Sequence, residues 1–366
     1  MPTARPGADP ASPNPSAPVP DLRDRARREL GRRLEALGFG PVEAPSREIG
    51  RLGPMRLRGY AEPDSGPVLL LVPAPIKRHY IWDLMPGRSV VRTALAAGFE
   101  TYLLEWADPD DAASAACGLE AYADRLLGAA VDLLRHRHAT EAVLLAGHSL
   151  GGTLAALFAS LHPERVRALA LIEAPLRFGP GAGVLPTLVR AAPGMAELVR
   201  DRLATVPGSF LTDAAVFADP AEHVADRWLD ALASRRDPEA LAAHRRVLRW
   251  AYDELAMPAA LFADIVGRLY REDAYHRGTL WLEGRHAAPE NLCMRLLAVI
   301  DPGSRLIPPA AVLPTIHRAR AHWSIHERGE EHGVALQHVG ALVGRDAQAS
   351  LWPLILTVLE TVWRRG

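Results

Sequence analysis

Residues 141–161, EAVLLAGHSLGGTLAALFASL, decide how the rest of this chain is read. Residues 142–146 form a short apolar run of strand length, as expected for a buried strand of a parallel sheet. Residues 153–161 are rich in Ala and Leu and read as a helix. Between them Gly147-His148-Ser149-Leu150-Gly151 makes a G-x-S-x-G box. Such a box holds a serine on a sharp strand-to-helix turn, and its glycines let neighbouring backbone pack close. The hydroxyl then stands clear of the sheet, and the Leu150 amide points from the helix N-terminus to where an oxyanion would form. Ser149 is the candidate nucleophile; a glycine-rich turn without chemistry is the bland alternative.

Outward from this box, strands and helices alternate. Residues 67–73 (PVLLLVP), 100–106, 166–173 and 294–301 read as strands, with helices over 87–97 and 118–136. Residues 55–61 read as an edge strand and 322–327 as the last strand, with helices over 308–318 and 346–365. Short apolar strands separated by helices predict right-handed crossovers and a parallel sheet covered on both faces. The regularity breaks over 176–289, which reads as a mostly helical cap controlling access to the site. The expected organisation is a lead at 1–20, a helical arm at 21–50, core at 51–175, cap at 176–289 and core again at 290–366. The lead is proline-rich and reads as disordered. In the arm, Leu22, Ala26, Leu30, Leu34 and Leu37 recur at helical spacing, predicting an apolar face packed on the body, with a partner-binding arm as the alternative.

Composition excludes several functions. The 366 residues carry 42 basic and 43 acidic side chains, a net charge of −1, which points to neither nucleic acid nor an anionic membrane as partner. No stretch approaches the roughly 18 uninterrupted apolar residues of a membrane span, and no secretory segment is evident, so a cytoplasmic location is expected. Cys117 and Cys293 are too few for a disulfide framework or metal site and read as small buried groups. No metal or organic cofactor is expected.

A serine hydroxyl needs a general base, usually histidine, held by a carboxylate. With the order serine, acid, histidine, the base lies after the last strand, at His338 or His332. His338 sits in an apolar loop leading into the closing helix and is favoured; His332 lies in the charged run 327–332 and reads as a surface residue. Asp301, at the end of the penultimate strand, is the favoured acid, although Pro302-Gly303 behind it also suits a plain turn. Glu173, one strand earlier, is the alternative. The second oxyanion amide should come from the loop after PVLLLVP, where prolines cannot donate; Ile76 is the choice. Lys77, His79 and Tyr80 in that loop, and His148, are candidate substrate-binding residues.

With these parts assembled, the chain resembles the polyhydroxyalkanoate synthases, a branch of the α/β-hydrolase superfamily. VPAPIKRHYIWDLMPGRSVVRTALAAGFETYLLEWADPD (72–110) is similar to that family's VPPxINKYYILDLxPxxSxVRxxxxxGxxVFLxSWxNPD, and GHSLGGTLAA (147–156) to its G-x-C-x-G-G-T box. LQHVGALVGRDAQASLWPLI (336–355) resembles its ending, placing the family's base on His338. Two positions depart. Serine replaces the nucleophilic cysteine at Ser149, and Ser304 stands where the family's D-H-I-V-P segment has its acid. The resemblance implies an α/β-hydrolase fold, an acyl ester or acyl-CoA substrate with polyester as an alternative, and a homodimer or second synthase-type subunit. A thiolate suits exchange between thioesters, whereas a seryl ester is a poorer acyl donor to an alcohol. The expected activity is therefore that of a serine acyl hydrolase or acyltransferase on hydroxyacyl esters or thioesters. The alternatives are a true synthase using 3-hydroxyacyl-CoA, or a non-catalytic homologue that binds polyester granules or a synthase.

Overall fold

A computed structural model describes residues 22–60, 66–218, 232, 234–329 and 337–365; the expected lead over 1–20 and His332 lie outside the described residues. In chain order, α1 (Leu22–Leu34), β1 (Arg47–Leu52), β2 (Met55–Gly59), β3 (Val68–Val72), α2 (Val90–Ala96) and β4 (Glu100–Trp106) lead into α3 (Leu127–Arg137), β5 (Val143–His148), α4 (Leu150–Leu161) and β6 (Val166–Ile172). There follow α5 (Leu185–Ala191), α6 (Met195–Arg202), α7 (Gly208–Ala218), α8 (Pro238–Ala251) and α9 (Ala259–Asp264). Then β7 (Arg295–Ile300), β8 (Trp323–Glu327), α10 (Gln337–Val343) and α11 (Trp352–Arg365) complete the chain.

The eight strands form one sheet in the order β1-β2-β4-β3-β5-β6-β7-β8. Pairing is parallel from β4 through β8 and antiparallel for β1–β2 and β2–β4. Every residue of β3 and β5 is buried, as strands covered on both faces must be. Alternate side chains divide between two cores. Leu70, Val72, Leu145 and Leu171 pack with α3 and α4, while Leu69, Leu71, Ala146 and Ile172 pack with α2, α10 and α11.

Three expectations change. The segment expected as an edge strand, β2, lies inside the sheet, because β1 pairs along it from within the expected helical arm. The arm's helix also docks by its polar face. Leu22 and Leu37 are 79% and 71% exposed, whereas Asp24 is buried and accepts the Gly208 and Ser209 amides at 3.0 and 2.9 Å. Arg27 donates to Glu254 at 2.9 Å and Arg28 to Asp108 at 3.3 Å. Capping the orphan amides at the start of α7 and pairing charges compete successfully with burying leucines. Cys293 is exposed, although Cys117 is buried as expected.

Candidate active site

Four adjacent parallel strands end side by side at the carboxyl edge of the sheet, where open α/β sheets form their crevices. They deliver Ser149 after β5, Glu173 after β6, Asp301 after β7 and Arg328 after β8. Ser149 turns sharply into α4 with φ 55° and ψ −135°. A positive φ at a non-glycine residue costs on the order of 1–3 kcal/mol, and close packing maintains it. Here the Ser149 amide donates to Ile172 O at 3.0 Å, while its carbonyl accepts from Gly152 and Thr153. A Cβ at Gly147 would sit 2.6 Å from Gly152 Cα, and one at Gly151 would run into Val72 O and the Pro73 carbonyl. The glycines therefore let α4 press against β5 and against the loop after β3.

The loop after β6 is held just as tightly. Thr153 Oγ1 donates to Pro175 O at 2.7 Å, and a Cβ on Gly152 would stand 2.5 Å from Ala174 Cβ. Glu173 thereby leaves the sheet with φ 44° and is 1% exposed.

His338, near the start of α10, turns its Nδ1 to Glu173 Oε2 at 3.1 Å. This differs from the expected pairing with Asp301. Asp301 has both oxygens engaged elsewhere: Oδ1 accepts from the Gly303 amide at 2.8 Å and Oδ2 from Arg328 Nη2 at 2.8 Å. Arg328 Nε also donates to Glu173 Oε1 at 2.8 Å, so one guanidinium lies between the two carboxylates. Burial pushes the Glu173 carboxyl above its ordinary value, while the Arg328 charge and hydrogen bond oppose that rise.

His148 is buried, donates from Nε2 to His338 O at 2.7 Å, and lies over the His338 ring with centroids 4.5 Å apart. Burial, followed by the neighbouring His338, pushes its pKa down to about 3, so the ring is neutral. Each of His148, Glu173 and His338 offers a ligand atom within 4.8 Å of the others, close enough to share a cation. The Arg328 guanidinium on Glu173 competes with any such ion for the same carboxylate.

Ser149, Leu150, His148 and His338 line one cavity of about 400 Å³ together with Ala74, Ile76 and Lys77. Its far wall is apolar: Leu188 and Val189 from α5, Phe210, Leu211 and Ala215 from α7, and Phe262 from α9. Lys77 borders the cavity, yet its ammonium donates to Ala251 O at 2.7 Å and Glu254 Oε1 at 3.1 Å, tying the loop after β3 to the end of α8. His79 and Tyr80 lie outside that lining, contrary to expectation. His79 Nε2 meets Glu43 Oε1 at 3.0 Å, and the Tyr80 hydroxyl donates to Asp253 Oδ2 at 3.2 Å. Both rings are buried behind the loop, where they brace it. Sequence reasoning missed Arg328 altogether. It lies in the charged run that reads as solvated surface, with no local signal that its side chain turns inward.

A match over residues 67–283, more than half of the chain, shows that the protein belongs to the α/β-hydrolase fold family. More particularly, it is similar to the poly(3-hydroxyalkanoate) polymerase subunit PhaC of Haloferax mediterranei, 29% identical over 287 residues, covering 78% of this chain and 57% of that protein. It is also 25% identical over 339 residues to the PhaC subunit of Allochromatium vinosum, covering 90% of this chain and 93% of that protein. The chain thus spans less than two thirds of the Haloferax protein's length. Among solved structures, the monoacylglycerol lipase of Paleococcus ferrophilus superposes with a TM-score of 0.51 at 15% identity, covering 81% of this chain and 96% of the lipase. DcsB in complex with its substrate analogue superposes with a TM-score of 0.54 at 14% identity, covering 87% and 98%. These two likenesses concern the fold.

Proposed function

We propose that this chain is a serine acyl hydrolase or acyltransferase acting on hydroxyacyl esters or thioesters, related to the polyhydroxyalkanoate synthases. The observation that carries this reading is the Glu173–His338 pair at 3.1 Å, with His338 and Ser149 on the wall of one apolar cavity. In this mechanism Ser149 Oγ bonds to the acyl carbon while its proton passes to the other ring nitrogen of His338. Glu173, in place of Asp301, holds the imidazole and stabilises the imidazolium. The Leu150 and Ile76 amides receive the oxyanion. His338 then returns the proton to the departing alkoxide or thiolate, and water or a hydroxyl takes the acyl group from Ser149. The helices over 176–289 act as the cap, and their leucines and phenylalanines accommodate an apolar acyl chain.

Coverage of 93% of the Allochromatium subunit favours a second reading, a true synthase consuming 3-hydroxyacyl-CoA. The serine argues for the hydrolytic outcome, because its ester is a weaker acyl donor than a thioester. A fluorophosphonate probe is expected to label the wild type and not Ser149→Ala; equal labelling of both would overturn the serine mechanism. Incubation with 3-hydroxybutyryl-CoA separates the readings: free acid supports hydrolysis, polymer the synthase. Absence of turnover on any ester or thioester would leave a non-catalytic binder of granules or of a synthase.

A further inference from the structure

Behind the Glu173–His338 pair lies a second buried layer that the serine mechanism does not use. Arg328 is 8% exposed, and its guanidinium reaches two carboxylates, Glu173 through Nε and Asp301 through Nη2, both at 2.8 Å. It is sealed from above by α10, where a Cβ on Gly340 would lie 3.2 Å from Arg328 Nη1. We propose that Arg328 is a positioning residue that keeps Glu173 ionised and aimed at His338, with Asp301 as the counterion that fixes the guanidinium.

Charge balance in a dry place sets this role. A carboxylate as buried as Glu173 is strongly disfavoured unless a cation and hydrogen bonds compensate it. A neutral Glu173 would offer the imidazolium no charge stabilisation. Arg328 supplies the compensation, and its planar fork suits carboxylates on two neighbouring strands. One cation against two carboxylates leaves the trio at a net −1. The imidazolium formed as His338 accepts the Ser149 proton brings the cluster to neutrality. Asp301 alone could not serve His338 in the same way, because both its oxygens are already engaged. Among the described residues, the titratable and charged groups that face Glu173 are Arg328 from beyond β8, His338 from α10, His148 from β5 and Asp301 from beyond β7.

This inference rests on the proposed serine chemistry, and the test separates the two. The pH dependence of kcat/KM for p-nitrophenyl hexanoate is measured for wild type, Arg328→Gln, Arg328→Lys and Asp301→Asn. Removing the cation raises the proton affinity of the Glu173–His338 pair, so the acid limb in Arg328→Gln moves to higher pH, by about one unit or more. Arg328→Lys restores it part of the way. Asp301→Asn removes a negative charge and moves the limb to lower pH. Opposite displacements support the proposal, since loss of packing alone lowers activity without moving the limbs in opposite directions. Limbs that stay put, or that move the same way in Arg328→Gln and Asp301→Asn, overturn it. If Arg328→Gln does not fold, the direction in Asp301→Asn decides. A wild type with no Ser149-dependent turnover overturns the serine mechanism and this inference together. A Ser149-dependent wild type with unmoved limbs overturns this inference alone.

Discussion

Glu173 Oε2 stands 3.1 Å from His338 Nδ1, although 165 positions separate the two residues. Asp301, one strand further along the sheet, is turned to Arg328 instead. If Glu173 orients the base, Glu173→Gln lowers kcat by about four orders of magnitude with little change in KM, as when a triad carboxylate is neutralised. Asp301→Asn costs about tenfold or less, because it touches His338 only through Arg328. Steady-state kinetics on a chromogenic ester check the pair, and a greater loss in Asp301→Asn would reverse the assignment.

His148 gives the protein an acid sensitivity of calculable sign. Its pKa falls from 6.5 to about 3 on folding, because the buried ring is held neutral. The unfolded chain therefore binds this proton more readily, and the associated stability is full above pH 6.5 and lost as pH falls toward 3. His148→Gln keeps a donor for the His338 carbonyl but has no titrating ring. Its melting temperature should decline less steeply than that of the wild type between pH 6.5 and 3, as measured by thermal denaturation. Parallel curves would contradict this origin.

Gly152 permits the loop carrying Glu173 to pass over α4. An added Cβ would lie 2.5 Å from Ala174 Cβ and 2.7 Å from Gly147 O. Gly152→Ala should destabilise the fold by about 1–3 kcal/mol, as overpacking does, and lower kcat/KM by displacing the loop. Urea denaturation and ester kinetics measure the two effects. A variant with wild-type stability would show that the loop yields without strain.

The cavity wall predicts how chain length is read. Ala215 lies on α7, facing the same space as Ser149. Ala215→Trp fills part of that space and should shift the preferred p-nitrophenyl ester to shorter acyl chains. Each buried methylene contributes about 0.8 kcal/mol, so a loss of two or three reduces long-chain kcat/KM by about tenfold or more. A chain-length series from acetate to dodecanoate is the measurement. An unchanged optimum would place the acyl chain elsewhere.

Much of this architecture was legible in one dimension because its causes are local. The strand–turn–helix around Ser149 follows from an apolar run, a glycine-bracketed serine and an Ala/Leu-rich helix. Alternating short strands and helices carried the parallel sheet for the same reason. His338 stood out because it sits in an apolar stretch after the last strand, leading into the closing helix.

What the sequence determined by itself was which residues stand at the carboxyl ends of the strands, since strand length and turn chemistry are properties of neighbours in the chain. Only the tertiary structure decided which of those residues face one another. Strand order sets Glu173 beside His338, an inward-turned Arg328 engages Asp301, and polar docking of α1 leaves Leu22 and Leu30 in solvent. These choices depend on side-chain directions and on charges that meet only after the sheet has assembled, where burial makes each unpaired group costly.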